Sequence, residues 1–472
     1  MIPPRTQEVF DEAEPLARRF RDAGHRLYLV GGIVRDLVIG RQADTADLDF
    51  TTDAEPDAVK RILGRWVDAL WTQGERFGTI GAVKDGRRYE ITTHRGESYD
   101  PEHRHPEVVF ATSIEADLAR RDFTVNAMAI EVTGEEPVLI DPFDGVADLA
   151  ASVLRTPGAA RDSFTDDPLR MLRAARFIAG YGLEPTDELV AAAAELSERL
   201  GIVSVERIRE EFDKLMVTPD PSPGLWFLHD TGLVRCFFPE LSALRVEQDP
   251  IHRHKDVLTH TIAVVANTRP RLVVRLAAVY HDIGKPRTRE IGRNGVSFHH
   301  HEVVGARMTR QRMKALRYSK DMVDRVSQLV FLHLRFHTYS MGWSDAAVRR
   351  FVRDAGDQLD ELIELTRCDC TTRNKRRAEV LSRRMDDLER RIEELAAQEE
   401  LAAIRPDLDG RKVAERLGIA PGPEIGRALK HLLELRLDRG PLGEDEAYAE
   451  LDRWWMAQGD ATPSSVGDPD AE

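Results

Sequence analysis

The chain has 472 residues, enough for about three domains at roughly 150 residues each, so a disulfide or metal staple is not needed to fold it. Charged residues make up 32% and hydrophobic residues 42%, which excludes a disordered or membrane-embedded composition. A net charge of −15 argues against a histone-like polyanion coat, although a basic groove can sit on an acidic body. Of the 67 basic residues only ten are lysine; arginine suits phosphate and base recognition, and a GC-rich genome would give the same bias. No apolar run approaches the roughly 18 residues of a membrane span. The acidic N-terminal stretch lacks an apolar leader core, so no secretory signal is expected. Three cysteines, Cys236, Cys368 and Cys370, rule out a disulfide framework and fit a reducing cytoplasm.

In chain order, LYLVGG (27–32) reads as a strand entering a glycine turn, and DLDFTT (47–52) as a second strand. Residues 79–95 carry a hairpin signal with Asp85-Gly86 as its two-residue turn. EVVFA (107–111) and NAMAIEV (126–132) complete a small mixed sheet. From about residue 151 the hydrophobic period becomes helical, and Pro219, Pro221 and Pro223 mark a break. Residues 254–375 are helical and rich in histidine. Leu381, Met385, Leu388, Ile392 and Leu395 fall at 4-3-4-3 spacing, one long amphipathic helix or a helical hairpin. The expected fold class is α+β. A mixed-sheet head (1–150) is followed by an all-α neck (151–245), a histidine-rich helical domain (246–375), a helical tail (376–457) and a disordered end (458–472).

The first constellation is Gly31-Gly32 running into Arg35 and Asp36, followed by Asp47-Leu48-Asp49. Glycines let a ligand approach the backbone, and a helix N-terminus offers unpaired N–H groups to an anion. Alone, the glycine turn reads as structural. Asp47 and Asp49 share one strand face, where two carboxylates repel unless a hard divalent cation such as Mg²⁺ neutralises them. The flanking Leu48 and Phe50 argue against a merely solvated loop. Glu90 joins this pair if its hairpin face meets that strand; otherwise it is an ordinary exposed strand residue. Further on, Arg120-Arg121-Asp122 offers two phosphate clamps and an acceptor for a ribose hydroxyl. Asp167 and Arg170, three apart on a helix with Pro168 in its first turn, match a base edge or form a plain surface ion pair.

These motifs, GGIVRD, DLDF, RRDFTVNAMA and DDPLRMLRAARF, in this order, resemble those of the bacterial class II CCA-adding tRNA nucleotidyltransferases and the related bacterial poly(A) polymerases. The resemblance covers roughly residues 25–240. It implies Mg²⁺ on Asp47 and Asp49, nucleotide sugar and phosphates on Arg120, Arg121 and Asp122, and base selection by Asp167 and Arg170. Asp166 stands where the family usually has glutamate and is one carbon shorter. The reaction implied is attack of the tRNA 3′-hydroxyl on the α-phosphate of CTP or ATP, with loss of pyrophosphate. The alternatives are a poly(A) polymerase, or a CC-only or A-only enzyme. CC-only enzymes lack a flexible loop before the Arg-Arg-Asp motif, and here Tyr99 to Pro106 occupies that stretch.

The second constellation is histidine on helices. His281-Asp282 ends one predicted helix, with His260 one helix earlier and Asp369 on a later one, a divalent-metal pattern that resembles the HD phosphohydrolase superfamily. The resemblance gives His260, His281, Asp282 and Asp369 as the basic ligand set, with His301 and His333 as the extra histidines of two-metal members. His299, His300 and His301 are adjacent, which leaves the register open. Lys285 is placed to meet a phosphate. Phosphatase or cyclic phosphodiesterase activity in tRNA end repair is implied, the alternatives being a helical spacer or a phosphohydrolase with a vestigial head. In the tail, the glycine-rich turn Leu417–Gly426, with Arg427 and Lys430 after it, is either a phosphate grip for tRNA or a plain helix connection.

Overall fold

The computed structural model describes residues 4–41, 47–96, 109–110, 113–246, 256–292, 295–336, 343–370, 375–398 and 404–459. The expected loop Tyr99–Pro106 and nearly all of the expected tail 458–472 lie outside these residues. Two compact units result, Met1–Pro239 and Glu240–Glu472.

The head begins with α1 (Pro4–Asp22), β1 (Leu27–Val30), α2 (Gly32–Val38), β2 (Asp47–Thr52), α3 (Pro56–Leu63) and β3 (Ala69–Trp71). There follow β4 (Thr79–Lys84), β5 (Arg87–Thr93), the short pair β6 (Arg95–Gly96) and β7 (Val109–Phe110), α4 (Ile114–Ala119), β8 (Ala129–Glu131), β9 (Val138–Ile140) and α5 (Gly145–Ala151). Seven strands form one sheet in the order β3-β4-β5-β2-β1-β8-β9. It is mixed because β2 pairs antiparallel with β1 and parallel with β5. The β4–β5 hairpin turns at Asp85-Gly86, both with positive φ (51° and 81°), as a two-residue turn matched to strand twist requires.

Alternation assigns the two faces. Leu29, Leu48, Phe50, Ile80 and Ile91 bury against Ala13, Leu16 and Phe20 of α1, each large side chain contributing about 1.5–3 kcal/mol. Tyr28, Val30 and Ala129 bury on the opposite face with Ile114 and Leu118 of α4. The expected strand 126–132 is shorter than its composition suggests. Residues Thr124–Asn126 form a 3₁₀ turn, because the Asn126 amide is held between Asp122 and Arg35 rather than left to a ladder.

The rest of the first unit is helical apart from the two-residue parallel pair β10 (Val153–Leu154) and β11 (Glu184–Pro185). Its helices are α6 (Ala160–Asp166), α7 (Leu169–Tyr181), α8 (Asp187–Glu195), α9 (Val205–Met216), α10 (Ser222–Asp230) and α11 (Val234–Phe237), after which α12 (Pro239–Ser242) begins at the unit boundary. The second unit contains α13 (Val257–Asn267), α14 (Leu272–Tyr280), α15 (Lys285–Thr288), the hairpin β12 (Arg289–Gly292) and β13 (Gly295–Phe298), α16 (His301–Ala315), α17 (Lys320–Leu332), α18 (Asp345–Ala355) and α19 (Leu359–Asp369). The 4-3-4-3 stripe forms one helix, α20 (Lys375–Gln398), with Met385, Leu388 and Leu395 buried. The tail helices α21 (Gly410–Leu417), α22 (Pro423–Arg439) and α23 (Glu444–Gly459) close on Leu408, Val413, Ala428, Leu432, Ala447 and Leu451. Among the described residues no helix is long and apolar enough to cross a membrane.

Candidate functional site

The register of β2 on β5 sets Asp49 directly beside Glu90 and Asp47 beside Arg88. Leu48 and Phe50 point into the core, so Asp49 emerges on the other face, where Glu90 is also exposed. The condition on which Glu90 joins the aspartates is therefore met for Asp49; the Asp47 side chain lies outside the described residues. Asp49, Glu90 and Thr92 line a cleft of about 350 Å³ whose remaining wall carries Arg95, Asp117, Arg120, Arg121 and Arg170. Four guanidinium groups thus face three carboxylates, a balance that favours a polyanion bound through a cation.

The glycine turn is close by. Gly31 has φ 78°, and a Cβ built there would lie 3.6 Å from Arg121 Nη1 and 3.7 Å from Asp49 Oδ2. Glycine is needed here for its left-handed backbone, and the bare Cα keeps Arg121 and Asp49 against one stretch of chain. Arg35 corrects an expectation. It is buried, and it donates to Asn126 Oδ1 (2.6 Å), Asp36 Oδ1 (3.0 Å) and the Tyr181 hydroxyl, with its guanidinium 4.1 Å from the Tyr181 ring centre. It braces the turn and does not line the cleft.

Asp122 is a second correction. One carboxylate oxygen accepts from the Phe123 amide (2.9 Å) and Asn126 Nδ2 (3.0 Å), the other from Arg173 Nε (2.7 Å) and Nη2 (2.6 Å). Four donors occupy its lone-pair sites here, so a ribose hydroxyl would have to displace one of them. Burial would push this carboxyl up, but Arg173 and the Asn126 amide outweigh it and hold it below the ordinary carboxylate range. Asp122 therefore fixes the loop that carries Arg120 and Arg121.

The Asp167–Arg170 pair is a third correction. Asp167 lies outside α7, in extended conformation (φ −135°), with Pro168 at the helix N-cap. Its carboxylate accepts from the Leu169 amide (3.1 Å) and pairs with Arg207 at 3.2 Å. Arg170 instead donates to Ser163 Oγ (2.7 Å) and the Arg120 carbonyl. The surface ion pair considered from the sequence is thus not the arrangement found, and Arg170 alone of the two lines the cleft.

Sequence reasoning missed the helix face behind these contacts. Arg170, Arg173, Phe177 and Tyr181 recur along α7 at three- and four-residue steps, so one face meets the Arg-Arg-Asp loop and the glycine-turn helix. Glu211 of α9 backs it, pairing with Arg176 (2.8 Å) and Lys214 (3.2 Å). The spacing was the available signal.

The second centre lies in the other unit. His260 Nε2 is 2.9 Å from Asp369 Oδ1 and 3.3 Å from His281 Nε2. Asp282 Oδ2 is 3.1 Å from His281 Nε2, and Asp282 Oδ1 is 3.3 Å from His301 Nε2. Two ligand sets share this corner, His260–His281–Asp369 and Asp282–His301–His333. His281, His301 and His333 each set Nδ1 on a backbone carbonyl, of Ala278 (2.7 Å), Phe298 (2.8 Å) and Val330 (2.6 Å), which turns Nε2 inward. His333 Nε2 is buried with no hydrogen-bond partner among the described residues, as a metal ligand would be. The triple-histidine register resolves to His301, because His299 and His300 are exposed. Burial alone would lower the His281 pKa, but Asp282 and Asp369 raise it to about 10. Burial, then the charge of His281, lowers His333 to about 3. Lys285 Nζ holds Asp282 Oδ2 at 2.7 Å.

In the tail, Gly418 caps α21 (φ 66°) and Gly422 with Pro423 opens α22, while Arg427 pairs with Glu424 at 3.2 Å.

Comparison with known proteins agrees with this layout. Residues 27–155 match the poly A polymerase head domain, residues 182–244 the family described as probable RNA and SrmB-binding site of polymerase A, and residues 257–374 the HD domain. A CCA-adding enzyme of Lactobacillus johnsonii is 40% identical over 229 residues, 48% of this chain and 55% of its own. An A-adding tRNA nucleotidyltransferase of Deinococcus radiodurans is 34% identical over 442 residues, 90% of this chain and 95% of its own. The chain thus spans about half the length of the Lactobacillus relative and nearly all of the Deinococcus one. The structure of Bacillus stearothermophilus CCA-adding enzyme in complex with CTP aligns with TM-score 0.69 at 24% identity, covering 96% of this chain and 99% of that one. That likeness establishes the fold.

Proposed function

The chain belongs to the family of tRNA nucleotidyltransferases and bacterial poly(A) polymerases, and from that premise we propose that it adds C, C and A to the 3′ end of tRNA from CTP and ATP. The observation that carries this reading is the adjacency of Asp49 and Glu90 across one cleft from an arginine wall. Asp47, Asp49 and Glu90 offer only oxygen donors, which suits Mg²⁺. When bound, the metal supplies a lowered pKa for the attacking hydroxyl and charge neutralisation for pyrophosphate. The protein does the positioning: Gly31 and Gly32 admit the nucleotide backbone, and Arg120 and Arg121 take its phosphates. Arg170, fixed by Ser163 and the Arg120 carbonyl, presents its remaining N–H donors to a ring nitrogen. Asp167 exchanges Arg207 for the exocyclic amine that C and A both carry. Asp122 and Arg35 hold this constellation without touching substrate.

A second reading has its own support, because the relative matched along nearly its whole length is an A-adding enzyme. One assay separates the two. Labelled CTP and ATP are supplied, singly and together, to tRNAs ending before the first C, after CC, and after CCA. The full activity incorporates C on the first substrate and A on the second; an A-adding enzyme incorporates only A, after CC.

The six converging His and Asp ligands support a divalent-metal phosphohydrolase in the HD domain as a companion activity, acting on 2′,3′-cyclic or 2′-phosphate ends. Three free thiols suit the reducing cytoplasm where tRNA matures.

A further inference from the structure

The cleft holds one arginine that none of the motifs assigns. Arg95 follows β5, and it is anchored from two sides: its amide donates to Asp117 Oδ1 (3.3 Å) and its Nη2 to Thr79 Oγ1 (3.0 Å). Asp117 in turn holds Arg121 Nη2 at 3.3 Å. After these contacts Arg95 Nε and Arg121 Nε remain buried with no hydrogen-bond partner among the described residues. Leaving a buried donor unmade costs about 1–3 kcal/mol, and the two arginines that carry such donors line the same cleft.

We infer that Arg95 and Arg121 together seat the pyrophosphate leaving group. The inference rests on the nucleotide-transfer reading and assigns the orientation of the triphosphate within it. The α-phosphate lies by Asp49 and Glu90, and the β- and γ-phosphates lie by Arg121 and Arg95. Gly31 supports that order, because a Cβ built there would lie 3.7 Å from Asp49 Oδ2 and 3.6 Å from Arg121 Nη1, so both side chains sit beside one stretch of backbone. In the step itself the tRNA 3′ oxygen forms a bond to the α-phosphorus. The bond from that phosphorus to the β-bridging oxygen breaks, its electron pair stays with pyrophosphate, and the 3′-hydroxyl proton passes to water. The charge that develops on pyrophosphate meets two guanidinium groups whose positions Thr79 and Asp117 have already fixed, so little reorganisation is needed. Charge-assisted bonds from arginine to phosphate are among the stronger protein hydrogen bonds.

The test uses the full chain and reads binding as well as turnover. Titration calorimetry with magnesium pyrophosphate is run on wild type, Arg95→Gln and Arg95→Lys, alongside pyrophosphate inhibition of CMP and AMP addition. Arg95→Gln is expected to bind pyrophosphate about ten- to a hundredfold more weakly, the loss of one charged hydrogen bond. Its kcat/KM for both nucleotides falls, while the KM for tRNA stays. Arg95→Lys keeps the charge, loses the fork and falls between. Pyrophosphate binding within twofold of wild type in folded Arg95→Gln overturns the inference. Should that variant fail to fold, Arg95→Lys decides, and wild-type affinity there overturns it equally. Wild-type chain that binds pyrophosphate through Arg95 but adds no nucleotide keeps the seat and removes the transfer reading instead.

Discussion

Replacing Arg173 with methionine keeps much of the side chain's hydrocarbon length and removes its charge. Asp122, 8% exposed, then loses two charge-assisted hydrogen bonds, of 2.7 and 2.6 Å. Breaking a buried ion pair from one side costs about 3–5 kcal/mol. The Phe123 amide and Asn126 stay in place, which sets the expectation near the lower end, about 3 kcal/mol. Glu211 loses only a 3.9 Å neighbour and keeps Arg176 and Lys214, so it adds little. In wild type the Asp122 pKa is depressed on folding, so its stabilisation is present above the unfolded value of about 3.9 and is lost as pH falls through the folded one. In Arg173→Met the burial that remains raises the folded pKa above the unfolded value, and the sign reverses. The variant's deficit is then greatest at neutral pH and shrinks in acid, being smaller near pH 5 than the ~3 kcal/mol expected at pH 7.5. Adding Asp122→Asn returns about 1–2 kcal/mol and removes the pH dependence. Hydrogen exchange of α7 peptides in the intact chain reads the opening free energy of this unit directly. A loss below about 1 kcal/mol, or one equal at both pH values, refutes the account of Asp122 as a buried, arginine-held anchor.

Asp49→Ala, and separately Asp47→Ala, should abolish CMP and AMP transfer with tRNA binding retained; residual rates within about tenfold of wild type in both would remove the metal assignment, since losing that stabilisation costs several kcal/mol. His281→Ala combined with Asp282→Ala should eliminate release of phosphate from 2′,3′-cyclic ends and spare nucleotide addition, because the ligands of the two centres are separate sets; parallel loss of both activities in folded protein contradicts that. Asp167→Ala should narrow the preference for CTP and ATP over UTP and GTP, measured as kcat/KM for all four, because a site that pairs with an exocyclic amine rejects a carbonyl by leaving buried polar groups unpaired. An unchanged preference with a lower rate would leave Asp167 as a partner of Arg207 only.

What the sequence determined by itself were the local patterns. Alternation across Leu48-Asp49-Phe50 gave the buried and exposed faces of β2, because strand period is fixed by backbone geometry. Asp85-Gly86 gave the hairpin, because a two-residue turn with positive φ at both positions matches strand twist and these residue types adopt it readily. The 4-3-4-3 stripe gave α20, although not the choice between one helix and two. The His and Asp ligands were also within reach, because metal chemistry restricts which residues can serve, whatever the fold around them.

Tertiary structure decided which polar groups are already occupied. Nothing in RRDF shows that Asp122 is filled by Arg173, 51 residues away, or that Arg35 is spent on Asn126 and Tyr181. It also decided that Asp167 faces Arg207, that Glu90 stands beside Asp49 through a parallel register, and that Arg95 keeps a buried donor with no partner among the described residues. Hydrogen bonding is a matter of short distances in space, and its partners here are brought together by α7 packing on the head. Sequence spacing ranks the residues able to do chemistry; only the packed chain shows which of them still have a donor or a lone pair to offer.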